Sequence, residues 1–195
     1  MISQAIAFVL ETLFDLFILA VLVRFWMQVV RAPVRNPIAQ FTIALTDFAV
    51  KPVRRVIPGV FRLDMASLLV AWAAEFVLQV LLLLVMGASI ADNPGVLSVV
   101  LFLSLVKLVR LSIYVFMGAI IIGAVLSWVS SYHPVAPFFD ALSRPFLKPI
   151  QRGIPTIGGV DISPIIALIA LQLILMLPVT WLEVQVGRMV ARAFL

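Results

Sequence analysis

The stretch Lys51-Pro-Val-Arg-Arg-Val-Ile-Pro58 recurs as Lys148-Pro-Ile-Gln-Arg-Gly-Ile-Pro155 at a constant offset of 97 residues. Around this stretch, residues 37–64 align with residues 134–161 without a gap. Asp64 and Asp161 each stand six residues after the last proline. A repeat that keeps prolines, basic residues and an acid in register preserves a backbone shape and a charge pattern. The chain therefore carries one module twice.

The composition is typical of a protein whose solvent is a lipid bilayer. Of the 195 residues, 64% are hydrophobic and 12% are charged, and the mean hydropathy is +1.22. Soluble domains have about 45–50% apolar and about 25% charged residues. Because the chain has no cysteine, disulfides, thiolate metal sites and covalent c-type haem attachment are excluded. The net charge of +5 favours anionic lipid headgroups as partners, and we expect no direct contact with nucleic acid.

Four segments have the roughly 20 apolar residues that a bilayer core requires. Each copy of the module reads as a span, a polar hairpin and a second span, so we predict an all-α membrane protein with two parallel repeats, residues 1–95 and 96–195. Lys107 and Arg110 interrupt the apolar run before the third span, and this predicts an outer-surface or re-entrant helix there. The predicted spans cover about 2–23, 66–86, 111–129 and 165–182, and the extra helix about 96–110.

The distribution of basic residues predicts the orientation of the chain. Ten of the 14 Lys and Arg residues fall in the two hairpin segments, and four fall on the other side. Since short cytoplasmic loops are enriched in Lys and Arg, we place both hairpins in the cytoplasm and both termini outside.

Each hairpin is predicted to contain a short amphipathic helix that lies in the membrane interface. Asn36 and Pro37 read as an N-cap and a first-turn proline, and Pro134 occupies the equivalent position in the second copy. Pro52 and Pro149 are predicted to end the two helices, because a proline disfavours helix in the residue before it.

The same motif continues into the spans that follow. Pro58 and Pro155 are expected to stiffen a bend, and Asp64 and Asp161 to cap the next span through its free backbone N–H groups. Two interpretations remain open for the motif as a whole. It is either a turn that returns the chain to the membrane, or a binding site in which basic side chains hold an anionic lipid or protein. The candidate contacts are Lys51, Arg54, Arg55, Lys148 and Arg152.

Several polar residues lie inside the predicted spans, where charged side chains usually face protein or water. Glu11 and Asp15 share one helix face and are predicted to pair with Lys107 and Arg110. Glu75 stands near the middle of the second span, and the repeat offset aligns it with Gln172. We interpret Glu75 as a neutral group hydrogen-bonded between helices, and the alternative is a proton or cation path. In the fourth span, Pro178 is predicted to cause a bend.

Together these residues resemble the YggT family of membrane proteins over nearly the whole chain. The second copy departs from the family's usual double arginine, since it has Gln151-Arg152. The resemblance is carried by Arg24-Phe-Trp-Met-Gln28, Asn36-Pro37, Lys51-Pro-Val-Arg-Arg-Val-Ile-Pro-Gly59, Asp64-Met-Ala-Ser67, Ser127-Trp128 and Gly158-Gly-Val-Asp-Ile-Ser-Pro164.

The resemblance implies a bacterial inner-membrane protein linked to tolerance of osmotic or extracytoplasmic stress. For relatives in cyanobacteria and plastids it implies cytochrome b6 maturation, and for others nucleoid or division organisation. We expect no enzyme activity and no cofactor, and the one histidine, His133, cannot supply two axial haem ligands. The first hypothesis is a scaffold or assembly factor whose partners are anionic lipids and another membrane protein or a second copy. The alternative is an oligomeric ion channel or transporter that uses Glu75 and Gln172.

The predicted orientation can be tested with introduced cysteines, because the native chain has none. Arg62→Cys and Gly158→Cys should resist membrane-impermeant thiol reagents in intact cells, whereas Asn93→Cys should be labelled. Labelling after lysis is the control that all three thiols are reactive. The opposite labelling pattern would contradict the orientation.

Overall fold

Four long apolar helical rods form the body of the protein, and two shorter amphipathic helices lie within the hairpins. The computed structural model describes residues 1–57, 63–90, 93–129, 133–153 and 161–193. Within these ranges, four rods are long and apolar enough to cross a membrane: α1, α3, α4 and the continuous rod from α6 to α7. This confirms the all-α fold class with four membrane helices. The elements are α1 (Ile2–Val29), α2 (Pro37–Val56), α3 (Met65–Val85), α4 (Val96–Val129), α5 (Ala136–Gly153), α6 (Ser163–Ile174), a π-helical turn (Leu175–Val179) and α7 (Thr180–Arg192).

Polar side chains fix where three of these helices begin. Asn36 caps α2, since its Oδ1 accepts a hydrogen bond from the Ala39 backbone N–H at 2.9 Å, and Pro37 is the first helical residue. Asp64 caps α3 by accepting from the Ser67 N–H at 3.3 Å. Asp161 accepts from the N–H of Ser163, the first residue of α6, at 2.8 Å. Pro134 lies in the turn before α5.

The prediction that Pro52 and Pro149 end the amphipathic helices is wrong. Both prolines lie inside their helices, which continue to Val56 and Gly153. A proline inside a helix removes one hydrogen bond and costs about 3 kcal/mol or more. Tertiary packing offsets this cost, because α2 and α5 pack apolar side chains near their prolines against other helices. Val50 is fully buried against α1 and α3, and Ile150 packs against α4 and α6.

The predicted separation of residues 96–110 from the third span is also wrong. A single helix, α4, runs without a break through all 34 residues and is about 51 Å long at about 1.5 Å per residue. The charge on Arg110 does not force the chain out of the bundle, because Arg110 forms an ion pair with Glu183 of α7. The first turns of α4 also pack against α7, since Val96 and Val100 are buried beside Val190.

Pro178 lies in a π-helical turn within the fourth span. After this turn α7 continues the rod to Arg192, beyond the predicted end of the span at about residue 182. The hydroxyl of Thr180 donates to the Leu175 carbonyl oxygen at 2.8 Å across this turn. Short π-helical turns inside α-helices are frequent at functional sites. The residues that immediately follow the turn, Thr180 and Glu183, both contact Arg110.

The rods follow the order expected for two parallel repeats. Ile18 of α1 packs in one cluster with Leu108 of α4, and Met27 packs with Ala119, so α1 and α4 run in the same direction. Gln28 reaches Asp64 at the start of α3, which therefore runs antiparallel to α1. Helix α4 is central, since it contacts α1, α3, α5, α6 and α7.

Aromatic stacking joins the two repeats. The ring centroid of Trp26 on α1 lies 4.7 Å from that of Phe116 on α4, which lies 4.7 Å from that of Phe146 on α5. Edge-on and tilted ring pairs of this kind add about 0.5–1.5 kcal/mol each beyond the burial of their area.

Candidate functional site

A buried arginine ties the first hairpin to the membrane helices. Arg24 of α1 is only 3% exposed. Its Nη1 donates to the Thr46 hydroxyl at 2.8 Å and to Asp47 Oδ1 at 2.9 Å, and both of these partners lie on α2. Its Nε lies 4.0 Å from Asp64 Oδ2. One guanidinium therefore contacts the two helices that follow it in the chain.

Asp64 is the second centre of this network, and its side chain is 2% exposed. Its Oδ2 accepts from Gln28 Nε2 at 2.9 Å and from the Ser67 hydroxyl at 2.6 Å, and it also contacts the Arg54 guanidinium. Arg54 is therefore an ion-pair partner of Asp64, and its contact with an anionic lipid or protein stays a prediction. We call the set Arg24, Gln28, Asp47, Arg54 and Asp64 the clamp.

The surroundings of the two clamp carboxylates favour their ionised forms. A hydrogen bond from Lys51 lowers the pKa of Asp47 most, and hydrogen bonds from Arg24 add to this effect against the opposing effect of burial. Burial raises the pKa of Asp64, but hydrogen bonds from Ser67 and Arg54 outweigh burial, so the pKa lies below its usual value of 3.8. Both aspartates are therefore anionic partners for the arginines.

The second repeat keeps only part of the clamp. Gln151, at the position equivalent to Arg54, donates to Asp161 Oδ2 at 2.8 Å, as Arg54 does to Asp64. The positions of Arg24 and Asp47, however, are occupied by Ile121 and Arg144 at the repeat offset. Burial raises the pKa of Asp161, but hydrogen bonds from Ser163 and Gln151 outweigh burial, so the pKa lies below its usual value of 3.8.

The change from Asp47 to Arg144 gives α5 three basic side chains. Arg144, Lys148 and Arg152 follow one another at intervals of four residues, which places them on one face of α5. All three are exposed, and none forms an ion pair or side-chain hydrogen bond with any other residue that the structure describes. They line a cavity of about 390 Å³ together with Val29, Val30, Ala141, Pro145 and Pro149. We call this cavity the basic groove.

The basic residues of the first hairpin are placed differently. Lys51 Nζ lies 2.7 Å from Asp47 Oδ2, so its charge is paired, and Arg55 is exposed away from the basic groove. Of the five predicted contacts for an anionic partner, the structure therefore brings together Lys148 and Arg152. It adds Arg144, which the sequence interpretation did not select.

A second cavity, of about 270 Å³, lies between α1, α3, α4 and α7, and we call it the polar pocket. Six charged side chains line it: Glu11, Asp15, Glu75, Lys107, Arg110 and Glu183. Lys107 shares this lining with Asp15 and Glu75. Arg110 pairs with Glu183 and donates to the Thr180 hydroxyl at 3.0 Å. The predicted pairing of Asp15 with Arg110 is therefore wrong.

Glu75 does not bridge two helices, so that prediction is wrong as well. It is 1% exposed, and its Oε1 accepts from Gln79 Nε2 at 2.7 Å on the same helix. Its Oε2 has no hydrogen-bond partner among the residues that the structure describes. Gln172, the aligned residue of the second repeat, is exposed in a separate apolar groove beside Met117 and Ile121. The two residues therefore have different surroundings.

Sequence reasoning missed Arg24, Asp47 and Glu183. The sequence does carry a signal for Arg24 and Asp47, because the two copies differ at both positions. Arg24 aligns with Ile121, and Asp47 aligns with Arg144. Two charged positions that change together between copies indicate a contact. Two other predicted residues, Pro58 and Pro155, lie outside the described residues.

Comparison with known proteins identifies relatives along most of the chain. The CCB3/YggT family pattern matches residues 3–85 and 102–182. Uncharacterized protein PA0392 of Pseudomonas aeruginosa is 38% identical over 188 residues, which cover 95% of this chain and 94% of that protein. The uncharacterized protein in the proC 3' region of Vibrio alginolyticus is 37% identical, with 87% and 90% covered. Uncharacterized protein YggT of Escherichia coli is 32% identical, with 88% and 87% covered. No solved structure matches the chain at a significant level.

The clamp predicts unequal effects of the same substitution in the two repeats. Asp64→Asn removes the buried anion beside Arg24 and Arg54, and breaking a buried ion pair from one side costs about 3–5 kcal/mol. Asp161→Asn weakens one exposed and one partly buried hydrogen bond, and hydrogen bonds contribute about 1 kcal/mol each. Thermal unfolding of the purified protein in nanodiscs should therefore show a much larger fall in Tm for Asp64→Asn. Equal falls would contradict the clamp.

The lowered pKa values of Asp47 and Asp64 also predict acid sensitivity. Groups whose pKa is lower in the folded state stabilise it above their unfolded pKa, and this contribution is lost as the pH falls through the folded pKa. The Tm should thus be steady near neutral pH and fall as the pH drops below the usual aspartate pKa of 3.8. The fall should be smaller in Asp64→Asn, which has already lost one of these groups. An identical dependence of Tm on pH in the variant would show that Asp64 does not contribute to the acid sensitivity.

Proposed function

Because the chain belongs to the CCB3/YggT family of multi-pass membrane proteins, we propose that it acts in a bacterial cytoplasmic membrane as a non-catalytic scaffold docked on anionic lipids. The observation that carries this proposal is the basic groove, where three cationic side chains have no acidic partner in the described residues. The cellular role that we assign to the scaffold is tolerance of osmotic or extracytoplasmic stress.

The chemistry of the basic groove suits a lipid headgroup. Arginine and lysine bind phosphate oxygens through charge-assisted hydrogen bonds. The remaining lining is apolar, with Val29 and Val30 of α1 facing Ala141, Pro145 and Pro149 of α5. An anionic phospholipid presents the same combination, a phosphate beside an acyl chain. A volume of about 390 Å³ lies within the range of about 300–1,000 Å³ that is usual for small-ligand sites.

The proposed orientation brings the groove to the leaflet where anionic lipid acts most strongly. The groove lies where α1 ends and the second hairpin helix packs, at the same end of the bundle as the clamp. With ten basic residues in the hairpin segments against four elsewhere, this end is assigned to the cytoplasm. The cytoplasmic leaflet carries a negative surface potential that attracts basic segments near it.

A scaffold role agrees with the unequal use of charge in the two hairpins. In the first hairpin the clamp holds the helices together and neutralises Lys51. In the second hairpin the equivalent face of α5 keeps its charge for an external partner. We propose that a lipid occupies the groove and that a membrane protein or a second copy assembles beside it.

A different observation favours the second candidate, an oligomeric ion channel or transporter. The polar pocket holds six charged side chains inside the helical bundle, where charged groups commonly mark ion or proton pathways. Beyond Glu75, however, the route is filled by a buried apolar cluster that includes Ile18, Leu22, Ala71 and Leu111. A continuous path would require another subunit or a rearrangement, so the scaffold is ranked first.

The lipid proposal is tested by removing three charges from the groove. Arg144→Gln, Lys148→Gln and Arg152→Gln together lower the formal net charge from +5 to +2. Each basic residue near an anionic surface contributes about 1 kcal/mol. We expect the triple variant to retain much less anionic phospholipid than the native protein when native mass spectrometry is performed after extraction from nanodiscs.

The matched control is the triple variant Arg31→Gln, Arg35→Gln and Arg55→Gln. These three residues are exposed and lie outside the groove, and their loss changes the net charge by the same amount. This control should retain most of the lipid. Equal loss in the two triple variants would mean that diffuse charge, and not the groove, attracts lipid. In a deletion strain, the groove variant should also fail to restore growth after osmotic shock where the control variant succeeds.

A further inference from the structure

A second cavity adjoins the polar pocket on the side of one end of the bundle. A neighbouring cavity of about 190 Å³ shares two lining residues with it, Glu11 and Lys107, and extends past Gln79 to Met86 and Val100. Met86 follows the last turn of α3, and Val100 belongs to the first turns of α4. The two cavities thus lead from the end of the bundle that holds the connection between α3 and α4 to the buried Glu75.

The charges in the polar pocket do not balance. Four acids face two bases, so the fully ionised set has two negative charges in excess. Arg110 is already paired with Glu183 and bonded to Thr180. This leaves Glu11, Asp15 and Glu75 with Lys107 as their only cation in the described lining. Tyr114 is the remaining polar group of the wall.

Glu75 has an acceptor atom that no described side chain uses. Its Oε1 is held by Gln79, which fixes the orientation of the carboxylate, while Oε2 is buried without a hydrogen-bond partner in the described structure. Buried polar atoms almost always have a partner, so an unpaired carboxylate oxygen that lines a cavity requires an explanation. A cation or its bound water beside Oε2 would satisfy the atom and reduce the excess negative charge.

The size and spacing of the site indicate how such a cation is held. No group of three acidic or histidine side chains in the described residues is arranged to hold a metal ion directly. The acids come instead from α1, α3 and α7 around a cavity of about 270 Å³, which has room for an ion and several waters. Carboxylate oxygens and water are the ligands that hard cations prefer.

We infer that the polar pocket is a binding site for a hydrated alkali-metal cation, which reaches Glu75 and Asp15 from the end of the bundle that connects α3 to α4. Glu75 Oε2 is the innermost ligand, and Asp15 on the facing helix carries the second charge. Lys107 competes with the cation for the same two carboxylates. The inference is independent of lipid docking, because the basic groove uses different residues at the opposite end of α1.

The experiment measures thermal unfolding of the full chain in nanodiscs of neutral phosphatidylcholine, which separates it from binding of anionic lipid. N-methyl-D-glucamine chloride is replaced stepwise by NaCl or KCl at constant ionic strength and pH. We expect a saturable rise in Tm with Na⁺ or K⁺. Glu75→Gln, which keeps a side chain able to bond Gln79, should lose this rise. Asp15→Asn should also lose the cation-dependent rise in Tm. This variant provides the test if Glu75→Gln does not fold.

Two further variants distinguish a binding site from a structural role. Lys107→Gln should lower the cation concentration at half-saturation, because it removes the competing ammonium group. Asp140→Asn removes one exposed acid outside the pocket and should leave the response unchanged. The inference is overturned if replacing the organic cation by Na⁺ or K⁺ leaves the Tm unchanged, or if Glu75→Gln retains the native response. MgCl₂ is titrated in the same way, and a rise produced by Mg²⁺ but by neither alkali cation would also overturn the inference.

Discussion

The buried guanidinium of Arg24 is the group on which the first repeat depends. A charge removed from water must be matched by partners with good geometry, and losing one partner leaves an uncompensated buried charge. The partners of Arg24 come from α2, through Thr46 and Asp47, and from the start of α3, through Asp64. This requirement fixes how α1, the hairpin helix and α3 meet. Arg54 adds to the same centre from the far end of α2, which explains why that helix continues past Pro52.

The second repeat uses the same order of helices with a different distribution of charge. Ile121 replaces the buried arginine, so the matching acid is no longer required, and Arg144 occupies its position. The hairpin acid Asp161 keeps a neutral partner in Gln151. One copy of the module therefore uses its charges to hold itself together, and the other presents them along α5. The difference follows from electrostatics, since a cation on the hairpin helix is tolerated where no second cation is buried beneath it.

Residue patterns predicted local structure well and tertiary partners poorly. The four spans follow from apolar length, and the cap at Asn36 follows from chemistry within three residues of the chain. The errors share one cause, which is that a distant contact outweighs a local preference. Val50 and its neighbours keep α2 helical around Pro52, and Glu183 retains Arg110 within the bundle. The repeat offset also suggested an equivalence that the structure does not show, because Glu75 and Gln172 align in sequence but line different cavities.

The sequence by itself determined the class of protein, the duplication, the number of membrane helices and the family resemblance. These properties depend on composition, apolar length and short motifs, which act locally or through the uniform solvent of the bilayer. Only the tertiary structure decided which charges are paired: Arg54 with Asp64, and Arg110 with Glu183. It also decided that Arg144, Lys148 and Arg152 share a face of α5 that has no charged partner in the described part of the chain. The physical reason is that the energy of a charge depends on the groups within a few ångströms of it, and in this fold those groups belong to other helices.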